Sequence, residues 1–222
     1  MAALNIGTRR RARFHSLAVR DVRRLTADSI EVTFAVPDDL ADDYDYAPGQ
    51  YVALRSGLAS PDRAELRRSY SICQPPVRGE LKVAIKRDVG GVFSTWANEH
   101  LESGMQLDVM SPQGTFTTDL TAAEHKHFAA IAAGSGITPL MALIRTILGA
   151  TEHARFSLVY TNRTSLDVMF LEELADLKDR YRERLALHHV LSREERTSEL
   201  LSGRIDDEKI DGILQYLVPP AD

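Results

Sequence analysis

The sequence holds one cysteine, one tryptophan and no apolar run long enough to cross a bilayer as a helix. With Cys73 alone, no disulfide framework, zinc site or cysteine-ligated iron–sulfur cluster can be assembled within these 222 residues. The N-terminus lacks the apolar core of a secretion signal, so a cytoplasmic protein with no membrane partner is expected. Positive charge is scarce as well. The 27 Lys and Arg stand against 32 Asp and Glu, a net charge of -5 that argues against a nucleic-acid groove. The cluster Arg9, Arg10, Arg11 and Arg13 reads as a solvated N-terminal arm over residues 1–13. What remains is ordinary globular composition, at a length that accommodates one large domain or two modest ones.

The first half alternates with period two. Ile30, Val32 and Phe34 interleave with Glu31 and Thr33, Leu81, Val83 and Ile85 with Lys82, Ala84 and Lys86, and Met105, Leu107 and Val109 with Gln106 and Asp108. Each pattern predicts a strand with one buried face. Further segments near 14–24, 50–55 and 67–73 bring the total to about six short strands, the signature of a closed antiparallel β-barrel over 14–118. The second half changes period. The apolar run from His127 to Ala132 predicts a strand buried on both faces. Leu140, Leu143, Ile144, Ile147 and Leu148 then form a helical stripe. A strand from Phe156 to Tyr160, a helix near 167–180, a strand from Leu185 to Leu191 and a helix near 211–217 follow. Strand–helix alternation predicts a doubly wound α/β domain with a parallel sheet over 124–222.

Three segments carry candidate chemistry. Gly134-Ser135-Gly136-Ile137-Thr138-Pro139 follows a strand and opens a helix, with Thr138 as cap and Pro139 in the first helical position. Glycines there serve either a tight structural turn or the close approach of a phosphate to free backbone N–H groups. Gly90-Gly91-Val92-Phe93-Ser94 has the same form between a strand and a helix, and the same two readings. In Arg67-Arg68-Ser69-Tyr70-Ser71, strand alternation puts Arg68 and Tyr70 on one face. That pairing suits a phosphate beside a flat ring system, or equally a surface arginine beside a half-buried tyrosine.

Taken together, Arg-x-Tyr-Ser on a barrel strand, a downstream Gly-x-x-Ser turn and a Gly-x-Gly-x-x-Pro turn resemble the ferredoxin–NADP reductase superfamily. The resemblance runs from about Phe14 to Leu217 and includes Pro48-Gly49-Gln50-Tyr51-Val52 and Ser111-Pro112-Gln113-Gly114. Within the superfamily, Leu81–Arg87 and Leu191–Glu194 are similar to reductase subunits of phenylacetyl-CoA epoxygenase complexes. The resemblance implies FAD in the barrel domain and a nicotinamide nucleotide in the α/β domain. Arg68 would pair with the flavin diphosphate, Ser69 beside it would belong to the same cofactor site, Tyr70 would stack on the isoalloxazine, and Ser71 would hydrogen-bond near its N5. An ideal strand turns Ser71 away from Tyr70, so that role needs twist or a bulge. Ala84, Ile85 and Lys86 would line the ribityl and phosphate path, and Gly91, Val92, Phe93 and Ser94 would donate to the diphosphate. Gly134, Ser135, Gly136 and Thr138 would face the nicotinamide nucleotide.

The strand ends carry a choice of nucleotide. An acidic residue after the second strand favours NAD, whereas arginine tolerates a 2′-phosphate. Here Asn162 and Arg163 end one strand and Ser192 and Arg193 the next, with no carboxylate until Asp167 after the first. NADPH is the expectation, against surface ion pairs as the plain alternative for both arginines. The family continues with a further strand, a Cys-Gly-Pro segment and, in the epoxygenase reductases, a ferredoxin-type [2Fe-2S] domain. These are expected downstream of Asp222, in a sheet whose last part is missing. The expected activity is electron transfer from NADPH through FAD to an iron–sulfur centre serving an oxygenase. The alternatives are a ring-hydroxylating dioxygenase reductase using NADH or FMN, and a flavin-binding module without turnover.

Overall fold

The structure, a computed structural model, describes residues 11–56, 66–196 and 198–218. Most of the expected basic arm and the chain's last residues, 219–222, lie outside the described residues. The chain forms two compact units, the first from Met1–Arg24 and Ser29–Thr117, the second from Leu25–Asp28 and Thr118–Asp222.

The first unit is a six-stranded antiparallel sheet. Its strands are β1 (Phe14–Thr26), β2 (Ser29–Ala35), β3 (Tyr51–Ser56), β4 (Leu66–Ser71), β5 (Glu80–Lys86) and β6 (Gln106–Met110). They pair in the order β4-β3-β6-β1-β2-β5. The sheet closes through a bridge between Ile72 and Val83, where Cys73 N–H donates to the Lys82 carbonyl at 3.0 Å. Its interior is filled by Leu17, Val19, Val32, Phe34, Val52, Leu54, Leu81, Val83 and Val109. One helix, α1 (Val92–His100), follows β5 and packs Phe93 and Ala97 into this core.

Alternation holds in the register of the pairs but not in burial along β2. Glu31 and Thr33 are buried along with their apolar neighbours. Arg23 binds the Glu31 carboxylate there at 3.1 Å, and Cys73 Sγ faces it at 3.7 Å. A buried carboxylate is tolerated only with such partners. Those partners lie far off in sequence or on another strand, so the expectation of one solvated face fails at β2.

The second unit is a parallel three-stranded sheet in the order β7-β8-β9, from β7 (His127–Ala133), β8 (Arg155–Asn162) and β9 (Leu185–Leu191). Helices α2 (Ile137–Ala150), α3 (Leu171–Arg180) and α4 (Asp207–Tyr216) complete it. Three expectations are corrected here. First, β7 is not buried on both faces. Ala129, Ile131 and Ala133 are exposed and alternate with sheltered Phe128, Ala130 and Ala132. In this sheet β7 is an edge, and among the described residues one of its faces is uncovered. Second, the helix expected from 167 begins at Leu171. Asp167 instead closes a capping box with Thr164, and Phe170 takes a left-handed φ of 60°, which separates that turn from α3. Third, α4 starts at Asp207 because the Asp206 side chain accepts from Lys209 N–H, a cap that lies ahead of the apolar stripe.

Candidate functional site

In the first unit, β4 presents Arg68 and Ser69 to solvent and half-buries Tyr70 and Ser71. Tyr70 lies opposite Val52 on β3, and its ring rests 5.9 Å from Phe93 at an interplanar angle of 34°. Phe93 in turn packs on Trp96. Burial pushes the Tyr70 phenol well above the usual tyrosine range, Asp88 adds to the shift and Arg68 opposes it, so the ring is neutral at physiological pH. Arg68 donates to the Arg67 carbonyl at 2.8 Å and makes no ion pair among the described residues. An exposed guanidinium without a counter-ion, two residues from an aromatic ring, is a ready partner for an anion joined to a flat group.

The turn before α1 explains its glycines. Gly90 has φ +76°, in the left-handed region that glycine enters without steric cost. At Gly91 a Cβ would stand 2.5 Å from Ser94 Oγ and 3.0 Å from Asp88 Cβ, so only glycine fits. Ser94 Oγ accepts from Asp88 N–H at 3.1 Å, which folds the loop onto the helix start. Gly91 caps α1 without a side chain, and the first turn holds no acidic residue. The N–H groups of Val92, Phe93 and Ser94 are therefore the orphan donors of a helix start, with the positive end of the dipole behind them. Ala84 and Ile85 are buried on β5, and Lys86 is half-buried at its end.

Two residues that sequence reasoning missed hold this turn in place. Asn98, 7% exposed, donates through Nδ2 to the Ile85 carbonyl at 3.2 Å and to the Ser94 carbonyl at 2.9 Å. Arg24 donates to Asn98 Oδ1 at 3.0 Å and to the Asn98 carbonyl at 2.8 Å. The bracket ties α1 to β5, the two elements that flank the glycine turn. Its signal was a polar residue on the buried stripe of Phe93, Ser94 and Ala97.

In the second unit, Gly134, Ser135 and Gly136 form a 3-10 turn that leads into α2. Thr138 does not cap, because its hydroxyl donates to the Ser135 carbonyl at 3.0 Å. The cap is Gly136, without a side-chain bond, so Pro139 sits two residues inside the helix, where its missing N–H still costs nothing. Gly134 has φ +49°. A Cβ on Gly136 would meet nothing within 4 Å. Internal packing thus leaves the second glycine unexplained, while close approach of a ligand to the backbone accounts for it.

Asn162 ends β8 and Ser192 follows β9, where Ser192 N–H donates to the Asn162 carbonyl at 2.9 Å. Arg163 is paired with Asp167 at 2.7 Å, so the carboxylate that looked distant in sequence neutralises the arginine beside the strand end. Arg193 is exposed and makes no ion pair among the described residues. Glu194 accepts from both the N–H and the hydroxyl of Ser165, at 2.8 and 2.9 Å.

Both units present uncapped helix starts with glycine at the ligand side. The first adds a guanidinium with no counter-ion among the described residues and an aromatic ring, and these residues fit a flavin nucleotide. The second fits a dinucleotide at the carboxyl ends of parallel strands. The fold and these two sites define a flavin- and nicotinamide-nucleotide-binding oxidoreductase.

Comparison with known proteins agrees. The oxidoreductase FAD-binding domain family matches residues 16–118 and the oxidoreductase NAD-binding domain family matches residues 130–220. One of the subunits of the 1,2-phenylacetyl-CoA epoxidase of Escherichia coli is 48% identical over 205 residues, 92% of this chain and 57% of that protein. The ferredoxin reductase component of the 3-ketosteroid-9-alpha-monooxygenase of Rhodococcus rhodochrous is 36% identical, over 79% of this chain and 48% of that protein. The chain thus spans about half the length of these relatives. Among solved structures, the CS-b5R domains of human Ncb5or in the NAD+ form align at a TM-score of 0.77 and 21% identity, over 96% of this chain and 61% of that one. A ferredoxin NADP+ reductase from Neisseria gonorrhoeae with bound FAD and NADP aligns at 0.73 and 17% identity, over 90% and 76%. The chain belongs to the ferredoxin–NADP reductase-like superfamily of FAD- and NAD-binding oxidoreductases.

Proposed function

We propose that this protein draws electrons from NADPH through FAD and delivers them to an iron–sulfur centre that serves an oxygenase of the phenylacetyl-CoA epoxidase type. The observation that carries the reading is the Arg68–Tyr70 pair, a guanidinium with no counter-ion among the described residues and a half-buried ring packed against the first turn of α1. The identity to an epoxidase component supports the choice of oxygenase. With one cysteine in the chain, the ligands of the iron–sulfur centre come from residues other than these. That cysteine is buried and forms no disulfide, which suits a reducing, cytoplasmic setting.

Residues 14–118 are the flavin domain. Arg68 and Ser69 hold the diphosphate together with the N–H groups of Gly91, Val92, Phe93 and Ser94, a charge-assisted arrangement. Tyr70 covers one face of the ring, kept neutral by burial, and Ser71 offers a hydroxyl near the reactive edge. The backbone of Ala84, Ile85 and Lys86 lines the chain between ring and phosphates. Bound FAD supplies the redox chemistry, since it accepts two electrons together and releases them singly. The protein's part is orientation and exclusion of water.

Residues 124–222 are the nucleotide domain. Gly134, Ser135, Gly136 and Thr138 hold the pyrophosphate, while Asn162 and Ser192 meet the nucleoside. Arg193 is the cation for a 2′-phosphate, and Arg163, already shared with Asp167, contributes less. Anaerobic addition of NADPH to the yellow protein tests the reading. Bleaching of the visible flavin band supports it. A spectrum that stays oxidised for hours would instead make the chain a flavin-binding module without turnover.

A further inference from the structure

Tyr160 and Asn162 stand out in the second unit for opposite reasons. Tyr160 is fully buried in β8, and its hydroxyl donates across 26 residues to the Gly134 carbonyl at 2.9 Å. Asn162, two residues on and 7% exposed, has no hydrogen-bond partner for either side-chain atom among the described residues. Buried amides are rarely left so, because an unmet donor and acceptor both oppose folding. The Asn162 amide touches the Tyr160 hydroxyl closely enough to favour its ionisation but falls short of hydrogen-bond geometry with it, and the Tyr160 hydroxyl is spent on the Gly134 carbonyl. Burial nevertheless holds that phenol protonated, as a permanent donor.

We infer that Tyr160 is a positioning residue that sets the Gly134–Gly136 turn for a nicotinamide dinucleotide, and that the unpartnered Asn162 amide is the seat the bound nucleotide fills. The inference rests on the nucleotide-binding reading of the second unit and adds to it a residue outside the glycine turn. The physical logic is pre-organisation. Gly134 holds a φ of +49° beside a cap with no side chain. One hydrogen bond from the sheet fixes its carbonyl, so the neighbouring N–H groups already face the ligand before it arrives. Asn162 then makes its hydrogen bonds only in the complex, so its unmet polarity in the free protein strengthens binding and not folding.

The two roles give opposite signs for stability, and that separates them from plain structural roles. Tyr160→Phe removes one hydroxyl, and Asn162→Leu replaces an unpartnered amide with an apolar group of similar size. Each variant is titrated calorimetrically with NADP+ and with NAD+, and each is melted without nucleotide. Tyr160→Phe is expected to weaken the better-bound nucleotide about tenfold, with FAD retained and the Michaelis constant for reduction raised more than kcat falls. Asn162→Leu is expected to weaken it at least tenfold while its melting temperature holds or rises. Unchanged affinity in both variants overturns the inference. So does a fall in the Asn162→Leu melting temperature that accompanies its loss of affinity, because that amide would then be structural. If the unaltered protein binds neither nucleotide, the nucleotide-binding reading itself fails, an outcome distinct from either of these.

Discussion

Replacing Asn98 with alanine strikes the bracket behind the glycine turn of the barrel. Three hydrogen bonds vanish: Nδ2 to the Ile85 carbonyl, Nδ2 to the Ser94 carbonyl, and Arg24 to Oδ1. The two neutral bonds contribute about 1 kcal/mol each and the charge-assisted one roughly 1.5–3 kcal/mol. Arg24 keeps its bond to the Asn98 carbonyl, and solvent reaches the guanidinium, which brings the third figure toward its lower end. The expected loss is therefore about 3 kcal/mol, a large share of the roughly 5–15 kcal/mol that stabilises a domain of this size. Trp96, the only tryptophan, lies on α1 against Phe93, so its fluorescence in a urea titration reports this unit directly. Asn98→Asp sharpens the test. It preserves the acceptor for Arg24 but turns a carboxylate oxygen toward two carbonyls, so it should cost at least as much as alanine. A loss below about 1 kcal/mol for Asn98→Ala, or an aspartate variant near wild-type stability, would refute the bracket.

Two further outcomes follow from the second unit. Burial, with Arg196 and His188 adding for His189 and Lys178 for His188, holds both imidazoles below the ordinary value of 6.5. A contact with the Leu217 backbone partly offsets this for His188. The unfolded chain therefore takes up protons first as pH falls, so stability is full above about pH 6.5 and declines below it. As pH falls from 7.5 to 5.5, amide exchange along β9 should slow by less than the intrinsic rate does, a loss of protection, and unchanged protection would contradict this. For nucleotide choice, Arg193→Ala should raise the Michaelis constant for NADPH several-fold and leave NADH nearly unchanged, with a smaller effect from Arg163→Ala. Steady-state kinetics with both nucleotides checks it, and equal losses for the two would remove Arg193 from the 2′-phosphate.

Features fixed by local chemistry were legible in the sequence. The glycine turns at Gly90-Gly91 and Gly134–Gly136 lie where the change from strand to helix put them, because left-handed φ values and missing side chains are local demands. The strand register of β2 against β5 follows the alternation of Ile30, Val32 and Phe34 with Ile85, Val83 and Leu81. What was not legible depends on distant partners. Glu31 is buried only because Arg23 and Cys73 meet it. Asn98 and Tyr160 matter through bonds that span 74 and 26 residues. The apolar run of β7 suggested two buried faces, yet its position in the sheet exposes Ile131. Arg163 is an intermediate case. Its partner Asp167, four residues on, could have been paired from the sequence, but only the capping box with Thr164 turns that carboxylate toward the strand end.

The central claim is that Arg68 and Tyr70 on β4, with the start of α1, hold the flavin. Equilibrium dialysis of FAD from Arg68→Ala and Arg87→Ala tests it most directly. Arg87 serves as the control because its ion pair to Glu99, at 3.8 Å, is exposed on both sides. A lost charge-assisted phosphate contact of roughly 1.5–3 kcal/mol predicts FAD held about ten- to a hundredfold more weakly by Arg68→Ala, with Arg87→Ala indistinguishable from the unaltered protein. Equal retention of FAD by the two variants would contradict the account.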